Sequence, residues 1–309
     1  MVVRSLRDRI QTEETIVAPG VFDPLGARLI EHLGFDTVYM GGWATGAHLS
    51  VTEPLLTMTE QVEAARRVAA SVEIPLIVDA GAGFGEPLHT RRTVREFERA
   101  GIAAIHIEDQ HHPKRAHYHK GIEDICDRET FLQKVRVAVE GRRSSDFIII
   151  ARTDAAKARN GDVDEAIWRC KAALDAGADV VLPLVTSAVP KLDSTEPEER
   201  LTEIRRGLPD DACVAALSGY LPGQAELSVT EYRNRGYRML VFPLTSVMAH
   251  VGALESMYRP LREQGQLPAK GTIGFAIEDY WKVQHLVEEL LQFSELIGVE
   301  ESTVEAGRG

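Results

Sequence analysis

Cysteine is scarce in this sequence: Cys126, Cys170 and Cys213 are the only three in 309 residues, and none lies at metal-ligand spacing from another. An odd, scattered set argues against a disulfide framework or a thiolate metal site and suits a reducing compartment with ordinary buried thiols. Long hydrophobic runs are also missing. No apolar stretch approaches the roughly 20 residues of a spanning helix, and the opening MVVRSLRDRIQTEE has no apolar signal-peptide core. A cytoplasmic protein with no membrane partner is expected. Positive charge is short too, with 35 Lys and Arg against 47 Asp and Glu and a formal charge of −12. No basic face easily dominates that background, so nucleic acid is not an expected partner. No G-x-G-x-x-G opens a helix after the first strand-like segment, which weakens a dinucleotide-binding reading.

What is present is an ordinary globular composition, 44% hydrophobic and 27% charged, with a repeated local grammar. Four helical patterns end in a glycine and pass straight into an apolar strand: Gly34, Gly101, Gly177 and Gly236. Glycine after a helix accepts the left-handed conformation that closes it, and the β-branched run that follows reads as a strand buried on both faces. Segments 16–22, 75–81, 146–154 and 212–219 bring the count of candidate strands to eight, with amphipathic helical segments between them. That alternation predicts an α/β fold, a (β/α)8 TIM-type barrel with extra C-terminal helices. Residues 1–309 are read as one barrel domain, with 246–300 as a C-terminal helical oligomerisation region. Tyr280, Trp281 and Leu286 give the tail an apolar face that suits either its own barrel or a second copy.

A barrel of this kind carries its active site at the C-terminal ends of the strands. The expected ends are Phe22-Asp23, Tyr39 to Gly42, Asp79 to Gly81, Glu108 to Gln110, Arg152 to Asp154, Ser218-Gly219 and Thr245-Ser246, while strand 6 ends in Pro183-Leu184-Val185. Asp79 and Glu108, on adjacent strands, are within reach of one divalent cation, and hard oxygen ligands suit Mg²⁺ or Mn²⁺. Arg152 on the next strand offers a bidentate clamp for a substrate carboxylate. Gly41 and Gly42 let backbone N–H groups approach an anion. The bland alternative is a structural ring of ion pairs. His106, inside its strand, reads as a hydrogen-bonded core histidine. The loop that follows, with His111, His112, Lys114, Arg115, His117, Tyr118 and His119, reads as a basic receiver for an anionic substrate.

The stretches APGVFDPLGARLIEHLGFDTVYMGG, IPLIVDAGAGFG, REFERAGIAAIHIEDQ, KRAHYHKG, FIIIARTDA, AGADVVLPL and VFPLTSV resemble the isocitrate lyase/phosphoenolpyruvate mutase superfamily along nearly the whole chain. The resemblance implies a barrel whose terminal helix swaps between neighbours, a homo-oligomer (dimer or tetramer), and a Mg²⁺-bound 2-oxo or 2-hydroxy carboxylic acid that reacts through an enolate. It implies metal-site roles for Asp79 and Glu108 and substrate-binding roles for Gly41, Gly42 and Arg152. It also implies a gating loop opened by Lys114 and Arg115.

The chain departs from the pattern at the site itself. The gate cysteine is Ala116, the second acid of strand 3 is Gly81, the acid after the strand-6 proline is Leu184, and the strand-7 asparagine is Leu217. The acid of the loop after strand 2 aligns loosely with Glu53. Alanine transfers no proton, so standard isocitrate or methylisocitrate cleavage is not expected. The reading adopted is a divergent carbon–carbon lyase or decarboxylase in which Tyr118, His117 or another loop histidine replaces the cysteine. Tyr39, Trp43 and Ser218 then line the substrate beside Arg152. Leu184, Leu217 and Trp43 suggest a substrate less polar than a tricarboxylate. A C–P bond mutase or hydrolase and a non-catalytic acid-binding barrel remain alternatives.

Overall fold

The computed structural model describes residues 5–12, 14–113, 124–185, 197–219, 227–269, 280 and 282–284. The chain divides into a unit of residues 1–248 and a second of residues 249–309. Eight parallel strands form the first: β1 Ile16–Val21, β2 Val38–Met40, β3 Leu76–Asp79, β4 Ala104–Glu108, β5 Ile148–Thr153, β6 Val180–Pro183, β7 Ala215–Leu217 and β8 Met239–Phe242. Their order is β6-β5-β4-β3-β2-β1-β8-β7. A parallel bridge between Val181 and Val214 joins the two ends of that order, so the sheet closes into a (β/α)8 barrel.

The helices are α1 Leu6–Ile10, α2 Pro24–His32, α3 Gly42–Leu49, α4 Met58–Ala69, α5 Pro87–Arg99 and α6 Arg128–Gly141. They continue as α7 Val163–Asp175, α8 Pro197–Arg206, α9 Val229–Asn234 and α10 Thr245–Gln264. All four glycines expected to close helices have positive φ: 88° at Gly34, 82° at Gly101, 97° at Gly177 and 85° at Gly236. A Cβ there would be strained, so each glycine sharpens the turn into the next strand.

Strand parity divides the core. Tyr39, Ile77, Ala104, Ile148, Ile150, Val180, Leu182, Met239 and Val241 form the barrel interior, and Leu6 and Ile10 of α1 pack into that same cluster. Their sequence neighbours, such as Val38, Val78, Ile105 and Ile149, instead pack among helix residues such as Val68, Phe97 and Ala138. Because side chains alternate across a strand, Asp79, Glu108 and Arg152 share the inward parity, while Asp109 and Thr153 face the helices.

The structure trims one sequence expectation. Strand β8 ends at Phe242, and Thr245 and Ser246 open α10 rather than ending the strand. Beyond α10, the C-terminal helical region expected over 246–300 lies almost wholly outside the described residues. No helix among the described residues is long and apolar enough to cross a membrane.

Candidate active site

The inward acids and Arg152 meet at the C-terminal end of the barrel. In register, Asp79 pairs with His106 and Glu108 with Arg152. Glu108 is fully buried, and Asp79 and Arg152 are nearly so. Arg152 Nη1 lies 3.1 Å from Glu108 Oε2 and 3.8 Å from Asp79 Oδ2. The other edge of the guanidinium forks onto Asp154, with Nε donating to Oδ1 at 2.8 Å and Nη2 to Oδ2 at 3.0 Å. Burial alone would lower the Arg152 pKa, but the charges of Asp154, Glu108 and Asp79 outweigh it and hold it well above its ordinary value. Asp154 is governed in the same way: burial favours its neutral form, yet Arg152 and Lys157 keep its carboxyl below the usual range. Buried charges survive only when paired and hydrogen-bonded, and the fork between Arg152 and Asp154 meets that condition.

Asp79 is oriented from several sides. Its Oδ1 accepts from the Gly81 amide at 2.7 Å, and its Oδ2 from the Gly42 amide at 3.4 Å. His106 Nδ1 is 3.6 Å from Oδ1. The Gly42 amide, expected to meet a substrate anion, is thus aimed at Asp79 at the start of α3. Tyr39, expected at the substrate, lies inside the barrel with its hydroxyl 2.7 Å from His106 Nε2. Gly41 caps α3, Trp43 is half-buried in its first turn, and Ser218 is buried just after β7. Leu184 is buried after β6, and Leu217 packs against the interior cluster. Lys114, Arg115, Ala116, His117 and Tyr118 lie outside the described residues.

A small cavity of about 30 Å³ opens beside Asp79, lined in part by Gly42, Glu53, Gly81, Phe84 and His112. A larger one of about 400 Å³ shares Phe84 and His112 with it, and this second volume is of the size that small-molecule sites occupy. Partial burial, followed by the charges of Lys134 and His89, holds the His112 imidazole below its ordinary pKa. Glu53, only loosely placed by the sequence, comes close enough that a Cβ on Gly42 would lie 2.7 Å from its Oε1.

Asp109 belongs to a different set, as its outward parity requires. It accepts from Thr153 Oγ1 at 2.5 Å, from the Asp154 amide at 2.9 Å and from Arg169 Nη1 at 3.2 Å. Burial, and then the charge of Asp154, push its pKa up to about 6. Sequence reasoning placed Asp154 and Gln110 among the strand-end residues and aligned Glu53 loosely with a loop acid, but gave none of the three a role. The inward parity of Asp154, two residues beyond Arg152, was the signal available for the first.

A family model described as phosphoenolpyruvate phosphomutase matches residues 6–261. The chain belongs to the isocitrate lyase/phosphoenolpyruvate mutase superfamily. Members of this superfamily cleave or transfer C–C or C–P bonds in small acids. The chain is 35% identical over 260 residues to the 2,3-dimethylmalate lyase of Eubacterium barkeri, covering 83% of this chain and 85% of that one. It is 34% identical over 261 residues to the 2-methylisocitrate lyase of Aeropyrum pernix, covering 84% and 80%. In three dimensions it is similar to oxaloacetate acetylhydrolase in complex with 3,3-difluorooxalacetate, with a TM-score of 0.84, 28% identity, and coverage of 97% of this chain and 98% of that one. Within the superfamily barrel, the inward carboxylates of this member pair first with a guanidinium. Among the described residues no group of three His, Cys, Asp or Glu side chains could hold a metal ion.

Two carboxylates still fit a magnesium ion, which commonly takes one or two from the protein and fills its remaining positions with water and substrate oxygens. The charge balance supports that fit. Among the described residues, the carboxylates of Asp79, Glu108 and Asp154 face the cations of Arg152 and Lys157, three negative charges against two positive.

Proposed function

We propose that this protein cleaves a carbon–carbon bond in a small 2-hydroxy or 2-oxo carboxylic acid through an enolate. The observation that carries the reading is the Nη1 edge of Arg152, held 3.1 Å from Glu108 at the mouth of the barrel. A substrate carboxylate entering there meets a guanidinium that is already desolvated and fixed in place, so little orientation is lost on binding. Asp79 and Glu108 would hold a Mg²⁺ ion, which when bound supplies positive charge for the oxygen that becomes negative as the bond breaks. The hydroxyl of Tyr39 is hydrogen-bonded to Nε2 of His106 below this point, and the other ring nitrogen of His106 stands 3.6 Å from Asp79. His117 or Tyr118 delivers the proton to carbon in place of the cysteine that Ala116 replaces; a histidine has an ordinary pKa near 6.5 and suits that work at neutral pH. Lys114 and Arg115 add positive charge at the gate.

Leu184 and Leu217 at strand ends that the superfamily makes polar favour a branched or short diacid over a tricarboxylate. The relatives named for dimethylmalate and oxaloacetate are consistent with that choice. The chain is also proposed to form a homo-oligomer, because Val251, Leu254, Tyr258 and Leu261 line an exposed apolar stripe at helical spacing on α10. Light scattering tests that part: a monomer at micromolar concentration refutes it. For the reaction, purified protein with Mg²⁺ or Mn²⁺ is offered dimethylmalate, methylisocitrate, oxaloacetate and phosphonopyruvate while keto-acid release is followed. Metal-stimulated cleavage of a diacid, abolished in Glu108→Gln, is expected. Full turnover in excess chelator would refute the role of the metal. Turnover confined to phosphonopyruvate would refute carbon–carbon cleavage.

A further inference from the structure

Asp154 makes the closest paired contact to Arg152, yet its oxygens face the edge of the guanidinium away from Glu108. We propose that Asp154 is a positioning residue: it occupies the Nε–Nη2 edge of the Arg152 guanidinium so that the outer edge, Nη1 with the remaining Nη2–H, is presented to the carboxylate of the substrate. This rests on the reading of Arg152 as the carboxylate clamp.

Residues 152 and 154 lie two apart and point to the same side of the chain, which lets the side chain of one fork onto the other. The fork takes up Nε–H and one Nη2–H, and both partners are buried. Asp154 is in turn immobilised from the neighbouring strand. Gln110 Nε2 donates to its Oδ2 at 2.5 Å, and its backbone amide donates to Asp109 Oδ1 at 2.9 Å. Lys157 Nζ stands 3.5 Å from the same Oδ2. Two residues that directly follow β4, Asp109 and Gln110, therefore hold the group that holds Arg152.

The alternative geometry is easily reached. An arginine side chain has several rotatable bonds, and Glu108 is already within 3.1 Å. Without the fork, the guanidinium would turn its Nε–Nη2 edge onto Glu108 and carry its outer edge away from the substrate. Asp154 thereby acts on substrate affinity rather than on the bond-breaking step.

The test is Asp154→Asn, which keeps the volume but sets an amide N–H₂ against one guanidinium N–H. Loss of a hydrogen bond to a charged group predicts a KM for the preferred acid raised about ten- to a hundredfold, with kcat little changed. In an Arg152→Lys background, which has no fork to orient, Asp154→Asn should add nothing. Gln110→Met, a milder change that keeps the charges paired, should raise KM severalfold and covers the case in which Asp154→Asn does not fold. Calorimetric titration with oxalate gives the same comparison without turnover. If no acid is turned over, the lyase reading falls, while a wild type that binds oxalate more tightly than both variants still upholds the role of Asp154. A fall in kcat at unchanged KM, equal oxalate affinity in wild type and variants, or no oxalate binding by the wild type would overturn it.

Discussion

The Tyr39 hydroxyl lies 2.7 Å from His106 Nε2, and the two rings stack with centroids 5.8 Å apart and planes 7° apart. The contact reaches from β2 to β4 across the inside of the barrel, over the strand that carries Asp79. His106 Nδ1 in turn stands 3.6 Å from Asp79 Oδ1, the acid at the mouth of the barrel.

Tyr39→Phe removes that hydrogen bond and little else. A net loss of about 1 kcal/mol in unfolding free energy is expected, read as a lower urea midpoint with an unchanged m-value. An unaltered midpoint would show that the pair contributes nothing to the fold.

Two glycines of α3 make a contrasting pair. A Cβ on Gly42 would meet Glu53 Oε1 at 2.7 Å, the far end of a flexible side chain that can swing away. A Cβ on Gly46 would meet the Val51 carbonyl oxygen at 2.8 Å and the Glu53 amide at 3.1 Å, both backbone atoms. Gly42→Ala should therefore fold with a stability change below about 1 kcal/mol, whereas Gly46→Ala should lose about 1–3 kcal/mol to overpacking. Thermal unfolding of the two variants decides the order. Gly42→Ala should also lose activity, because the displaced Glu53 carboxylate belongs to the wall of the cavity beside Asp79.

The barrel was legible because its signals are local. A glycine closing each of four helices and a β-branched run after it report on φ and on burial within a few residues. The same is true of Asp79, Glu108 and Arg152 as strand-end residues. The partition between Glu108 and Asp109 was also present in the sequence, since period-2 alternation sends adjacent residues to opposite faces, but it becomes decisive only once the inward face is known. Glu53, Gln110 and Asp154 were named only as a loosely aligned acid and as strand ends, because the contacts that give Glu53 and Gln110 their roles lie between segments. The carboxylate of Glu53 reaches Gly42 from a short 3-10 turn over Glu53–Leu55, and Gln110 meets Asp154 across 44 residues of chain.

The three cysteines give a prediction independent of the site. All are buried, and burial pushes the thiols of Cys126 and Cys213 up to about 11 and that of Cys170 higher still. Reaction with a disulfide reagent needs both access and thiolate. At pH 8 the native protein should release almost no thiol colour with Ellman's reagent over minutes, while guanidinium-unfolded protein should release three equivalents. Rapid labelling of one thiol in the native state would show that its segment opens.

Gly81 tests whether the proposed magnesium site lacks a donor that an acid at this position would supply. Its φ is +52°, and a Cβ built there has nothing within 4 Å. Aspartate tolerates the left-handed region better than most residues, so Gly81→Asp should fold at a cost of about 1–2 kcal/mol. The new carboxylate would enter the wall of the small cavity that Asp79 also lines. A third hard oxygen donor should then tighten binding of a divalent ion at least about tenfold, more than 1.4 kcal/mol. Calorimetric titration with Mn²⁺ compares the variant with wild type, and Gly81→Ala serves as the control for backbone strain alone. Tighter binding in Gly81→Asp but not in Gly81→Ala places the ion beside Asp79. Equal affinities in all three would mean that any bound ion sits away from this wall.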